Sequence, residues 1–316
     1  MAKKASISKN KKASAPSACP EKIRIGTLVN AGPDKKPGEY IRQILPYGFE
    51  SFSLTFWQTL GGRDLRKLAD EVRQVLAGSG AVISSLSVFG NPLAGDDLAR
   101  QTRAGWQKLI DAAALFGCDL VTGFAGRVVD KPIDESMPRF QKVFGPLARR
   151  AADKGVRLAF ENCQMGGDWR RGGWNIAHGP AAWEMMFNAV PTGNLGLQWE
   201  PAHQMVGLVD PLEQLAKWVG KVFCLHGKDG TVRWDIIREF GIYGPRQFVW
   251  HRTPGFGDTN WADLITILRT GGFVGSIDIE GWHDPVYRGD LEMTGQVRAL
   301  NYLKDCRGGT FTPNPT

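Results

Sequence analysis

No apolar stretch of the 316-residue chain reaches the ~18 residues that a helical membrane span requires, so none is expected. Cysteine is sparse and unpatterned. Cys19, Cys118, Cys163, Cys224 and Cys306 are odd in number, widely spaced and without a CxxC pair, which excludes a thiolate zinc knuckle or a disulfide framework and fits reduced thiols in a cytoplasmic enzyme. No GxGxxG follows the first predicted strand; Gly26-Thr27-Leu28-Val29 runs into Asn30-Ala31-Gly32-Pro33, a poor phosphate cradle, which argues against a doubly wound dinucleotide fold. Acidic residues are missing before Glu21, so Lys3, Lys4, Lys9, Lys11 and Lys12 supply five of the seven net positive charges. The rest of the chain is close to neutral, unlike a nucleic-acid-binding domain.

The composition otherwise suits a large folded domain, with 42% hydrophobic and 22% charged residues. Residues 1–21 form an expected disordered basic leader. A Lys/Ser/Ala-rich segment cannot bury enough apolar surface to order itself, and it lacks the apolar centre of a signal peptide. A nucleic-acid or membrane-surface arm is the lesser alternative. Residues 22–306 are expected to form one domain and 307–316 a flexible tail.

Within 22–306, short β-rich runs alternate eight times with helical patterns, predicting a single-domain α/β fold, a (β/α)8 TIM barrel. The expected strands are 23–29, 49–54, 81–88, 120–124, 156–161, 195–200, 222–228 and 274–280. Asp210 before Pro211, and Asn260 before Trp261, have the chemistry of helix N-caps. Two connectors after strand C-termini, 164–179 and 229–259, are long enough to be functional, and they lie on the face where barrel enzymes carry their sites.

The stretch Ser276-Ile277-Asp278-Ile279-Glu280 alternates polar and apolar, so Ile277 and Ile279 face helices while Ser276, Asp278 and Glu280 face inward. The same parity on strands five, six and seven leaves Glu161, Glu200 and His226 as their last inward residues. Three carboxylates and an imidazole converging on one point repel one another unless a cation lies among them. Oxygen donors with one nitrogen suit one divalent metal, Mn²⁺ before Mg²⁺, Co²⁺ or Fe²⁺. The bland alternative is a metal-free network with Arg157, Lys228 or Arg252.

Glu161-Asn162, Leu195-Gly196-Leu197 with Glu200-Pro201-Ala202-His203, His226-Gly227-Lys228-Asp229, Arg252-Thr253-Pro254-Gly255-Phe256-Gly257 and Ile279-Glu280 with Asp284-Pro285 resemble the successive motifs of the sugar phosphate isomerase/epimerase family of xylose-isomerase-like barrels, near the branch that includes C-glycoside deglycosidase catalytic subunits. The resemblance implies that Glu161, His226 and Glu280 bind metal. Glu200 stands where the family commonly has Asp. The resemblance also implies that His203 contacts substrate and that Glu161 and Glu280 exchange protons with a sugar.

The expected function is therefore a divalent-metal-dependent isomerase or epimerase of a keto-sugar or derivative, working through a metal-stabilised enolate. A lyase cleaving a 3-keto-(C-)glycoside by β-elimination is the alternative; a non-catalytic sugar-binding barrel is the alternative of another class. Expected substrate contacts are His203, Arg252, Lys228, Trp57 and Trp282, with Asp229 helping Lys228 to orient His226. Trp169, Trp174 and Trp250 also lie on loops of the same face, where flat rings suit a glycoside or its aglycone. A metal-dependent apurinic endonuclease is disfavoured by the near-neutral body and the five histidines. The expected partners are a small-molecule sugar or glycoside, with no nucleic acid or membrane. A homo-oligomer is expected, with a small partner subunit if the deglycosidase branch applies.

Overall fold

The structure, a computed structural model, describes residues 23–309, 312 and 315. The expected leader, and residues 310, 311, 313, 314 and 316 of the expected tail, lie outside the described residues. The strands are β1 (Arg24–Asn30), β2 (Ser51–Trp57), β3 (Val82–Phe89), β4 (Leu120–Gly123), β5 (Arg157–Glu161), β6 (Leu195–Trp199), β7 (Val222–Gly227), β8 (Asp229–Val232), β9 (Val249–Arg252) and β10 (Ser276–Ile279). The helices are α1 (Pro37–Ile44), α2 (Leu65–Leu76), α3 (Asp97–Ala112), α4 (Met137–Ala152), α5 (Pro180–Ala189), α6 (Ala202–Val206), α7 (Pro211–Trp218), α8 (Trp234–Phe240), α9 (Trp261–Thr270) and α10 (Glu292–Cys306). Strands β1 to β7 and β10 close a parallel barrel in the order β1-β10-β7-β6-β5-β4-β3-β2, while β8 and β9 form a separate antiparallel pair. The fold is a TIM barrel. No helix among the described residues is long and apolar enough to cross a membrane.

Local chemistry starts the helices where the sequence predicts. Asp210 accepts from the Leu212 and Glu213 amides, and Asn260 from the Asp263 amide, each satisfying donors that a first turn leaves orphaned. Between the barrel and its helices an aliphatic core is interleaved with large rings: Trp106, Trp183, Trp199 and Trp261 are fully buried, and Trp106, Phe140, Phe144 and Phe160 pack as tilted and edge-to-face pairs.

The barrel interior is different. Where many such barrels carry branched aliphatics, this one carries hydroxyls: Ser53 lies 2.7 Å from Ser85, and Ser87 lies 2.6 Å from Thr122. Below the mouth, Asp278 accepts hydrogen bonds from Ser51 and Ser84, both at 2.7 Å. Gly26 leaves the room for this contact, since a Cβ there would lie 2.3 Å from an Asp278 oxygen.

The segment expected as the connector 229–259 is an ordered insertion, with β8 and β9 pairing across α8. Its strands are four residues long and interrupted by Gly230, too short for a period of two to stand out. Asp229 holds it shut. One of its oxygens accepts from the Gly230 and Thr259 amides, and the other from the Trp261 indole and the Gly255 amide. This carboxylate is thus engaged with the insertion, and the expectation that it orients His226 is corrected.

Burial pushes the Asp278 carboxyl up to about 6, against the two serine hydrogen bonds that pull it down. An unfolded Asp titrates near ~3.9, so between those values the folded chain holds the additional proton and stability falls as pH rises. Asp278→Asn is expected to stabilise the protein by about 2 kcal/mol at neutral pH and negligibly below pH ~4, measured by urea unfolding. An equal effect at both pH values would show that the ionised carboxylate is not destabilising.

Candidate metal centre

Four consecutive barrel positions bring the expected ligands together. Glu161 ends β5, Glu200 and Glu280 directly follow β6 and β10, and His226 is the penultimate residue of β7. Parallel register pairs Glu161 with Gln198 and Asp278 with His226, so Glu200 and Glu280 stand two residues further toward the mouth than those partners. Neighbouring amides fix the strand ends. Asn162 accepts from the Glu200 amide at 3.0 Å and donates to the Glu200 carbonyl at 2.8 Å, and Asn175 donates to the carbonyls of Glu161 and Cys163.

His226 Nδ1 lies 3.0 Å from Glu161 and 3.2 Å from Glu280. Lys228 Nζ lies 3.0 Å from Glu280, whose same oxygen is 3.0 Å from His283 Nε2. Glu161, His226 and Glu280 offer one cluster of ligand atoms, and Glu161, Glu200 and His203 a second that shares Glu161. All five are buried.

The charges in this cluster hold one another. Burial alone would lower the His226 pKa, yet Glu161 and Glu280 outweigh it and hold the imidazole up at about 9. Burial would raise the Glu280 pKa, but Lys228, His226 and His283 keep it well below the usual carboxylate range. Lys228 is raised by Glu280 against its own burial. His203 is driven well below its ordinary value by burial, with Lys228 and His251 adding repulsion, and is neutral.

That leaves Glu200. Lys228 and a protonated His226 compensate two of the three carboxylates. Glu200 is fully buried and neither of its oxygens has a hydrogen bond, although His203 Nε2 lies 2.7 Å from one of them. Glu280 Oε2 and His226 Nε2 are also buried without a hydrogen bond. Uncompensated buried carboxylate oxygens cost several kcal/mol. The donors fit a divalent cation in either of two groups that share Glu161, one with His226 and Glu280 and the other with Glu200 and His203; the four expected ligands do not form one group.

Of the cations weighed for a metal-free network, Lys228 alone reaches the cluster. Arg157 pairs with Asp119 and lies over the Phe223 ring, and Arg252 pairs with Asp284 at 3.0 Å. Asp284 also accepts from the Thr253, Val286 and Tyr287 amides, tying the Arg252 turn to the segment after β10. The expected contacts His203, Lys228, Trp57 and Trp282 line a cavity of about 1040 Å³ that opens above the cluster, whereas Arg252 and Trp169 do not.

Arg127 carried no signal in the sequence. It is fully buried, and its guanidinium donates to the carbonyls of Lys131, Asp168 and Trp169, so it anchors the loop after β5 from beneath. A lone Arg after a short strand shows no period and no motif; the Lys131 carbonyl is local, but only the fold brings those of Asp168 and Trp169 to it.

Several solved structures share this architecture. The 3-keto-D-glucoside 4-epimerase from E. coli superposes with a TM-score of 0.67 at 16% identity, covering 90% of this chain and 100% of that one. An L-ribulose 3-epimerase gives 0.65 at 16%, covering 90% and 96%. A xylose isomerase-like TIM barrel protein from Mycobacterium smegmatis, in complex with magnesium, gives 0.66 at 18%, again covering 90% and 96%. No curated protein matches the sequence. Residues 41–306 match the model of one family, described as xylose isomerase-like TIM barrel, and the chain belongs to that family.

Proposed function

We propose that this protein is a divalent-metal-dependent sugar isomerase or epimerase that moves a proton at a carbon next to a carbonyl. The observation that carries the reading is a pair of buried donor groups that share Glu161, one with His226 and Glu280 and one with Glu200 and His203, in which neither Glu200 oxygen has a hydrogen bond. Sugar epimerases among the structural neighbours support the substrate class. A divalent ion bound there, Mn²⁺ first among the candidates, would stabilise negative charge on a sugar carbonyl oxygen as the adjacent carbon loses its proton.

The chain's own residues do the rest. Glu161 and Glu280 come from strands separated by β6 and β7, so they approach the cavity floor from different sides of His226. One carboxylate takes the C–H proton, and the bonding pair becomes the C=C of an enolate. The other, which carries a proton when the enolate forms, returns it to the opposite face for epimerisation; for isomerisation the proton goes to the former carbonyl carbon, while the hydroxyl proton on the carbon first deprotonated passes to the former carbonyl oxygen. Lys228 keeps Glu280 ionised, as a base must be. His203, held neutral, can hydrogen-bond a substrate hydroxyl.

Elimination is the second reading, favoured by the size of the cavity. If a group β to the carbonyl leaves with its bonding pair, the enolate pair becomes the C=C of an enone.

Glu161→Gln is expected to lower α-proton exchange of a keto-sugar in D₂O by ~10²–10⁴-fold with the circular dichroism spectrum unchanged. Undiminished exchange would remove Glu161 from the proton transfer. Because a proton on His226 competes with a metal, uptake should release a proton and apparent affinity should rise with pH until about 9, where His226 titrates. Calorimetric titration with Mn²⁺ in buffers of different ionisation enthalpy measures both quantities. Uptake without proton release below that pH would exclude His226 as a ligand.

A further inference from the structure

The cavity above the metal centre has two unlike ends. At its floor lie Glu161, His226, Lys228 and Glu280; toward solvent its lining turns aromatic. A continuous run of rings leads outward from the centre. Phe89 is 6.0 Å from His226, Phe124 is 5.2 Å from Phe89, Trp174 is 6.5 Å from Phe124, and Trp57 is 5.6 Å from Trp174. Trp57 ends the run and is 57% exposed. Trp282 and Trp250 line the same cavity from the segment after β10 and from β9, 43% and 39% exposed. Three tryptophans from three separate elements thus line one cavity with exposed surface, the Trp250 ring carrying the Arg233 guanidinium 4.0 Å from its centroid, although burying such rings is ordinarily favourable.

The backbone beneath this surface is built to hold it. Gln58, next to Trp57, adopts a left-handed conformation at φ 61, with its amide bound to the Phe89 carbonyl and its own carbonyl bound by Thr102. Met165, which lines the cavity from the loop after β5, is left-handed at φ 50. Non-glycine residues persist there only when their surroundings over-determine them, and they cluster at ligand sites.

A free sugar would leave most of about 1040 Å³ unfilled, whereas cavities of this size suit ligands of two or more rings. The lysine and arginine side chains in the lining are Lys228, which is buried and paired with Glu280, and Arg288, which is exposed at the rim. The lining therefore offers no pair of free cations to clamp a phosphate.

We infer that the substrate is a sugar bearing a flat, apolar aglycone, and that Trp57, Trp250 and Trp282 form the subsite for that group while the sugar ring sits over the metal centre. The inference rests on the reading above that a sugar binds at the centre. It assigns the rim tryptophans to substrate selection and leaves the proton transfer to Glu161 and Glu280.

The test is binding to the full chain loaded with Mn²⁺, followed by tryptophan fluorescence and calorimetry, of phenyl β-D-glucoside, methyl β-D-glucoside and D-fructose 6-phosphate. The phenyl glycoside is expected to bind about tenfold or more tighter than the methyl glycoside. Trp57→Ala should bring that ratio toward one and Trp57→Phe should largely restore it, a pattern that general loosening of the fold would not produce. Equal affinity for the two glycosides, preference for the phosphate, or a ratio insensitive to Trp57→Ala overturns the inference. Running the same series on Glu161→Gln separates the two readings. A retained ratio supports the subsite whether or not the wild type exchanges protons with sugars in D₂O, and proton exchange with equal affinities removes the subsite while the proton-transfer reading stands.

Discussion

A buried excess of negative charge at one end of the barrel is the constraint on which the rest depends. Three carboxylates reach adjoining positions because three strand ends do, with Glu161 shared between the Glu280 side and the Glu200 side, and the two cations within reach, Lys228 and the imidazole of His226, already serve Glu280 and Glu161. Glu200 remains inside without a hydrogen bond. In low dielectric that arrangement is stable only with another cation or with a proton on Glu200. The proton alternative has one acceptor to use. A protonated Glu200 could donate to His203 Nε2 at 2.7 Å, the nitrogen that also lies 3.4 Å from Lys228 Nζ. The same frame that holds the unsatisfied charge also removes its freedom to escape, because Asn162 pins the Glu200 backbone on both its donor and acceptor sides.

The supporting architecture follows from keeping that point fixed. Below it, a layer of hydroxyls and Asp278 fills the barrel with small side chains. Above it, three polar anchors, each fully buried, hold the loops: Asp229 the insertion, Asp284 the segment after β10, Arg127 the loop after β5. Each saturates backbone groups that these loops would otherwise leave unpaired in the interior. Loops that might have been floppy covers become walls, and a wall is what a tryptophan needs if its open face is to stay in place.

The fold and the strand-end placement of Glu161, Glu200, His226 and Glu280 were legible in the sequence because both are periodic, whereas the pairing of Glu200 with His203 in a second group was not. Alternation of two within a strand and a strand–helix repeat along the chain decide which side chains face inward, and Glu161, Glu200, His226 and Glu280 follow from parity at four strand ends. The N-caps at Asp210 and Asn260 were legible for the same reason, their partners lying two or three residues away. The anchors were not. Apart from the adjacent Gly230 amide, Asp229 bonds groups 26 to 32 residues distant, Arg252 finds Asp284 across 32 residues, and Arg127 finds its carbonyls across as many as 42. Motif order placed Arg252 near substrate, but its partner was fixed by an insertion whose own strands were too short to see.

The tryptophans show where composition stops being informative. Eleven in one chain suggest an aromatic function, yet Trp106, Trp183, Trp199 and Trp261 are wholly buried in the layer between barrel and helices. What separates Trp57, Trp250 and Trp282 from them is position: Trp57 ends β2, Trp282 follows β10, and Trp250 lies on β9 of the insertion, all three lining the cavity. A ring left half bare in that position is unfavourable for folding in water, and the left-handed Gln58 beside Trp57 adds backbone strain to the same feature. Two unfavourable choices at one place, both facing a cavity that leads to the charge cluster, are consistent with a surface shaped for a ligand and are hard to explain by packing alone.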